Sequence, residues 1–488
     1  MLQFLDETFR DGPQSLWATR MSTETMLEAA PLLDDAGFAK ACVISGASFE
    51  TAVKFLRDDP WERIRLLHHR LPQTAIDVLI RSRNLFGWSR YPDEVVELLF
   101  KCLQKRGADW VKVFDGLNDL DAIAAHFQIA KGLGLKVSGI LTFSVSPVHT
   151  DAYYENKARQ LVAHGVDSIT VTDASGILTA ARTESLLKSI KKATSGKIPI
   201  EFYAHACMGL AHESYRAAMK VGIDVATTAA EPLANGDSLP ATRDIATIAA
   251  DLGIPTGLNA GAIAKLDDYM HWAAYKAGWP AGVPVAFDPI AYERFVEHQI
   301  PGGMMSNFQN QLKEVGMMDR IDEVLHEAGR VRAELGYPIM VTPFSQFVGV
   351  QAVFNVVQGQ RYKTIPKELT LYALGHYGAT QAPIDPNVLD RILGGKSLRR
   401  AVPEALYGER ILESFRIEAG PFASDEELLL HLFYGKPVVE AFQREQRIVL
   451  KAPSIKRPLR VLLEELAKAP RLASFSLQKG DLKLEIGH

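Results

Sequence analysis

The side chains best suited to chemistry stand where short apolar runs end. Asp6, Glu7, Arg10 and Gln14 follow the first run in LQFLDETFRDGPQS, and Arg81 and Asn84 follow TAIDVLI. Asp115 and Asn118 follow WVKVF, Thr172 and Asp173 come late in SITVTDAS, and His205 and Cys207 close IPIEFYAHAC. A guanidinium can give a carboxylate two parallel hydrogen bonds. Acids, an imidazole and amides beside it can hold a cation or pass a proton. Such a set can form one site, provided the chain gathers the run ends in one place. The competing reading is local, because polar residues at strand ends also cap helices and turn loops.

Eight candidate strands position these residues, at 2–9, 39–46, 74–80, 110–116, 135–143, 168–175, 198–205 and 224–229. Between them lie amphipathic stretches such as PDEVVELLFKCLQKRG (92–107) and DAYYENKARQLVAHG (151–165), apolar at helical spacing and closed by glycine. A strand followed by a helix, eight times over, predicts a (β/α)8 TIM barrel spanning residues 1–290. An open doubly wound sheet is disfavoured, since no GxGxxG follows the first strand. In such barrels the βα loops gather at the C-terminal strand ends and carry the active site, so the polar residues above are expected to converge there.

The pattern then changes. Residues 291–440 read as an all-α domain, with a charged helical run at 307–336 and further helices over 365–434 broken at GATQAPIDPN and IEAGPFAS. The last part, 441–488, reads as a basic linker, a short amphipathic helix LRVLLEELAKAP and a hairpin turning at Lys479-Gly480-Asp481. A helix and a hairpin are too small to own a core, which makes this tail a docking element.

Bulk properties narrow the function classes. A net charge of -4 with acids and bases interleaved gives no field for nucleic acid. Three scattered cysteines, Cys42, Cys102 and Cys207, without CxxC spacing or a leader-type N-terminus, fit the cytoplasm. No window nears the eighteen or so apolar residues of a membrane span.

Taken in order, DETFRDGPQSLWATRM, LIRSRN followed by YPD, VKVFDGLND, ILTFSVSPVHT, VTDASGIL, AHACMGLAH, IPGG, VTPFSQFVGVQAVFNVV and APIDPNVLDRIL resemble the motifs of the carboxyltransferase subunits of biotin-dependent carboxylases. The oxaloacetate decarboxylase alpha chain, the pyruvate carboxylase B chain and the transcarboxylase carboxyltransferase are among the members that the motifs resemble. The resemblance implies that carboxybiotin loses its CO2 in the barrel mouth to the enol form of a small acid. It implies that Arg10 and Arg81 hold that acid with Gln14 and Asn84 beside them, and that Ser306, where the family has threonine, shuttles the proton.

It also implies a divalent metal (zinc, manganese or cobalt) held by an Asp, two His of an HxH and a carboxylated Lys. Here Asp6 and His205 are the matching ligands, while Tyr203 stands for the first His and Thr172 for the Lys. Pro13 and Ala206 are further departures from the family pattern. Two ligands of four rarely hold an ion, since catalytic sites usually keep three protein ligands. Either Cys207 or Glu231 substitutes, although a small buried thiol and a surface acid are the better readings of those two, or hydrogen bonds and arginine stabilise the enolate instead.

Lys220, in AMKV, mimics the setting of a biotinyl lysine but should end a helix. No carrier or biotin carboxylase domain is evident in the sequence, so biotin is expected on a separate carrier subunit, with both partners docking through 453–488; the resemblance implies a homodimer through the barrel. The alternatives are a non-catalytic scaffold subunit and a metal-dependent lyase or aldolase of the wider group sharing the D-x-T-x-R-D-G-x-Q opening. The second is disfavoured, because those enzymes too rely on HxH.

Overall fold

The computed structural model describes residues 1–300, 312–313, 316–394, 409–420, 424–445, 474–479 and 482–487. Its centre is a closed parallel barrel of eight strands in chain order: β1 (Gln3–Asp6), β2 (Lys40–Ser45), β3 (Ala75–Arg81), β4 (Trp110–Phe114), β5 (Lys136–Thr142), β6 (Ser168–Asp173), β7 (Ile200–Ala204) and β8 (Val225–Thr228). Each lies within or overlaps an expected run. The barrel closes through β1 on β8, with Phe4 opposite Ala226 and Asp6 opposite Thr228. The runs are legible because parallel strands are covered on both faces and are mostly apolar; β2 and β7 are buried at every residue.

The helices between the strands obey their capping signals. Thr150 accepts from Tyr153 N at the start of the helix Asp151–His164, and Gly165, at φ 74°, ends it. Lys220 lies in the last turn of the helix Ala211–Val221, before Gly222. Such left-handed closures cost glycine nothing and other residues a Cβ clash.

After the barrel, the helices Ile321–Glu334, Phe344–Gln358, Lys367–Ala373 and Pro386–Leu393 share a second apolar cluster around Val324, Val348, Leu369 and Tyr372. This cluster reaches the mouth of the barrel. Leu117, after β4, belongs to it, Arg332 donates to Ser144 Oγ at 2.9 Å, and Ala379 N donates to Asp119 Oδ2 at 2.9 Å. Gly116 is needed at this seam, because a Cβ there would meet Phe344 Cε2 at 2.5 Å.

The helices Leu412–Ala419, Asp425–Tyr434 and Lys436–Glu445 lie elsewhere. Leu428, Leu429, Phe433, Val439 and Phe442 join the core cluster of the barrel. Leu412–Ala419 runs into the stretch IEAGPFAS that the sequence suggested as a loop. The expected hairpin forms, pairing β9 (Ser474–Lys479) with β10 (Leu482–Gly487) in antiparallel register. The helix expected at LRVLLEELAKAP lies outside the described residues. No described helix is long and apolar enough to cross a membrane.

Candidate active site

A cavity of about 380 Å³ opens at the C-terminal ends of the strands. Arg10, Asp11, Gln14, Arg81, Tyr203 and His205 line it, together with Lys112, Thr172 and Trp88, and Val341 and Thr342 of the helical part close one side. Its position follows from the topology, since every βα loop leaves the barrel at this end.

Beneath the cavity the barrel interior is ionic. Lys40 of β2 pairs with Glu201 of β7, and Lys112 of β4 lies 3.0 Å from Asp77 of β3, 3.7 Å from Glu201 and 3.9 Å from Glu7. Ser168 and Thr170 donate to Glu201 at 2.7 and 3.0 Å. Burial works to raise the Glu201 carboxyl, but Lys40 and Lys112 hold it down at about 2. Burial likewise disfavours charge on Lys112, and its three acids outweigh this and raise it.

Above this floor the two arginines differ. Arg10 is engaged by carboxylates, through Nη2 to Glu7 Oε1 at 2.7 Å and Nη1 to Asp11 Oδ1 at 3.0 Å. Arg81 donates Nη2 to Gly87 O at 2.5 Å and stacks on Trp88, 4.6 Å from the ring centre. No carboxylate among the described residues pairs with it, and its buried Nε has no hydrogen-bond partner. A guanidinium so placed has the geometry to give a carboxylate two hydrogen bonds.

The third element is a polar cluster. Asp11 Oδ1 accepts from the Tyr203 hydroxyl at 2.7 Å, and Asp11 Oδ2 lies 3.1 Å from His205 Nε2. The Tyr203 oxygen is 2.8 Å from the same imidazole nitrogen, and Ser15 Oγ donates to Asp11 Oδ2 at 3.3 Å. Burial would raise Asp11, yet His205 and Arg10 hold it well below the usual carboxylate range. Burial would lower His205, and Asp11 outweighs it, so the imidazole is raised.

The structure brings Arg10, Gln14, Arg81, Thr172, Tyr203 and His205 to one cavity, and the other described candidates have local partners. Asp6 is not a partner of His205: its oxygens accept from Thr8 N at 2.9 Å and Thr8 Oγ1 at 2.5 Å, and burial raises its carboxyl to about 8. An acid followed two residues later by a donor is an Asx-type turn, so DET folds on itself and Asp11 takes the place expected of Asp6. Asn84 also stays local, donating to Trp88 O at 2.9 Å and Ser89 O at 3.1 Å. Asp115, Asn118 and Asp173 brace loops, the first accepting from Ser82 Oγ at 2.8 Å, the second donating to Thr142 O at 3.0 Å and the third accepting from Leu178 N at 2.7 Å. Cys207 donates to Ser175 O with its thiol pushed up to about 12, and Glu231 pairs with Arg243. Ser306 lies outside the described residues.

The conserved carboxylase domain family matches residues 295–482 of this sequence. The B chain of pyruvate carboxylase from Methanocaldococcus jannaschii is 37% identical over 451 residues, spanning 91% of this chain and 78% of that one. The chain belongs to the carboxyltransferase subunits of the biotin-dependent carboxylases. The 2-oxoglutarate carboxylase large subunit of Hydrogenobacter thermophilus is 33% identical over 459 residues, 91% of this chain and 68% of that one. The carboxyl transferase domain of Rhizobium etli pyruvate carboxylase, solved with pyruvate and biocytin, superposes with a TM-score of 0.82 at 25% identity, over 93% of this chain and 80% of that one. This carboxyltransferase is therefore a TIM-barrel enzyme subunit whose chemistry depends on biotin.

The divalent ion implied by the family resemblance does not fit the residues present. Among the described residues no three His, Cys, Asp or Glu side chains group as a metal site, and the candidate substitutes Cys207 and Glu231 are committed elsewhere.

Proposed function

We propose that this carboxyltransferase moves the carboxyl group of carboxybiotin, presented by a separate carrier subunit, to a small 2-oxo acid such as pyruvate whose carboxylate is held by Arg81. The supporting observation is the Arg81 guanidinium, set in the wall of the cavity with no carboxylate partner among the described residues. Two relatives whose names carry 2-oxo acids, the archaeal pyruvate carboxylase chain and the 2-oxoglutarate carboxylase large subunit, support the acceptor class.

Carboxybiotin on the carrier would supply the CO2, leaving its nitrogen free to take a proton. A C–H bond next to the acceptor's carbonyl breaks, its electron pair makes the enolate, and the proton ends on the biotin nitrogen. The enolate carbon then forms the new C–C bond to CO2, so atoms and charge balance. Negative charge grows on the acceptor's carbonyl oxygen, and donors fixed beside that oxygen lower the barrier. Gln14 lines the mouth and accepts from Ser45 Oγ at 3.1 Å; its amide N–H remains to orient the acceptor. Arg10 keeps its place by holding Asp11 and Glu7. Ser306 is assigned the proton relay between acceptor and biotin.

A biotin carboxylase and the carrier are the proposed partners, docking through 453–488, in a homodimeric cytoplasmic assembly. The test is carboxyl transfer, or its reverse, biotin-dependent decarboxylation of oxaloacetate. Arg81→Ala should lower kcat/KM by about a thousandfold, as expected for a lost charge-assisted bidentate contact with its orientation, while the subunits still assemble. Unchanged turnover would reject the assignment and favour a scaffold subunit.

A further inference from the structure

The Asp11, Tyr203 and His205 side chains form one polar cluster. The Asp11 oxygens are met by the Tyr203 hydroxyl, Arg10 Nη1, Ser15 Oγ and His205 Nε2. The Tyr203 hydroxyl donates to Asp11 Oδ1, and its oxygen lies 2.8 Å from His205 Nε2, within reach of an imidazole N–H. Tyr203 is opposite Thr172 in the β6–β7 ladder, and both face the cavity. Two neutral hydroxyl side chains thus stand side by side where an ion would need negative or imidazole ligands.

We propose that this centre holds no divalent ion, and that the Tyr203 hydroxyl, backed by His205 Nε2–H, serves as the hydrogen-bond donor to the acceptor's developing enolate oxygen. When the acceptor binds, the Tyr203 O–H turns from Asp11 Oδ1 toward the carbonyl oxygen, and Asp11 Oδ1 keeps Arg10. The imidazole N–H on the phenol oxygen polarises the O–H and strengthens it as the oxyanion forms. The role rests on the carboxyl-transfer reading above; the exclusion of the ion rests on the donor set alone.

Four measurements on the full chain test this. Protein purified without chelator should carry far less than one ion per chain by plasma mass spectrometry, and transfer should survive EDTA. Tyr203→Phe should lower kcat about a hundredfold, the scale of one lost oxyanion donor, with the KM for pyruvate changed only a few-fold; a purely structural role would not produce that split. Tyr203→His should let Zn2+ bind in calorimetry with roughly one ion per chain, through three protein ligands, where the wild type shows no heat. A stoichiometric ion in the wild type whose removal abolishes transfer would overturn the proposal, and so would wild-type kcat in Tyr203→Phe or no Zn2+ binding by Tyr203→His. If the wild type transfers carboxyl to no 2-oxo acid, the acceptor reading and the donor role both fall. The ion count and the Zn2+ titrations then still decide whether Tyr203 stands where the ion would be.

Discussion

The floor of the barrel and its mouth treat charge in opposite ways. On the floor Lys40, Asp77, Lys112 and Glu201 are dry and each meets an opposite charge. In the mouth Arg81 leans on an aromatic ring and a carbonyl, and no described carboxylate forms an ion pair with it. A paired buried charge is structural, since removing its partner strands it at a cost of several kcal/mol. An unpaired one at a cavity wall waits for an anion. The difference separates what the fold needs from what the reaction needs.

Breaking the floor should have the largest effect. Lys112→Ala leaves Asp77, Glu7 and Glu201 without their shared cation, and chemical denaturation should show a loss of about 3–5 kcal/mol. Asp6 handles charge in a third way, by staying protonated. Its folded-state value of about 8 lies above that of an unfolded Asp, so its contribution to stability is full in acid and is lost as pH rises toward 8. Asp6→Asn should flatten that part of a denaturation profile measured against pH, by at most roughly 1.4 kcal/mol per pH unit. At the seam between the barrel and the helical cover, Gly116→Ala drives a methyl into Phe344. Overpacking of this kind costs about 1–3 kcal/mol, and the melting temperature should fall accordingly. The smallest stability change belongs to the mouth: Arg81→Ala should cost less than about 1 kcal/mol while removing turnover. A large destabilisation there would erase the contrast with Lys112.

The barrel was legible because each strand is a short apolar run between amphipathic helices closed by glycine. Arg81 was legible for a related reason, as a charge directly after such a run. Asp11 was not, because DETFRD offers three acids and only the turn made by Asp6 and Thr8 decides which one faces the cavity. Lys112 and Glu201 were missed too. Within WVKVF and IEFYA they look like ordinary polar alternation, and only closure of the barrel turns Lys112, Glu201, Lys40 and Asp77 toward one another. The amphipathy of the helices over 411–445 likewise shows that they cover an apolar surface without showing which one.

Those helices bear on how such proteins can be recombined. Phe433 packs edge-on against Phe86 and Tyr91, the Tyr91 hydroxyl donates to Leu432 O at 3.1 Å, and the Tyr434 hydroxyl donates to Phe86 O at 3.0 Å. Phe86 and Tyr91 flank the turn that presents Trp88 to Arg81. A barrel cassette cut near residue 290 and moved into a relative would arrive without the clamp behind Trp88 and Arg81, so exchange between homologues should succeed only when the segment around 425–434 travels with it.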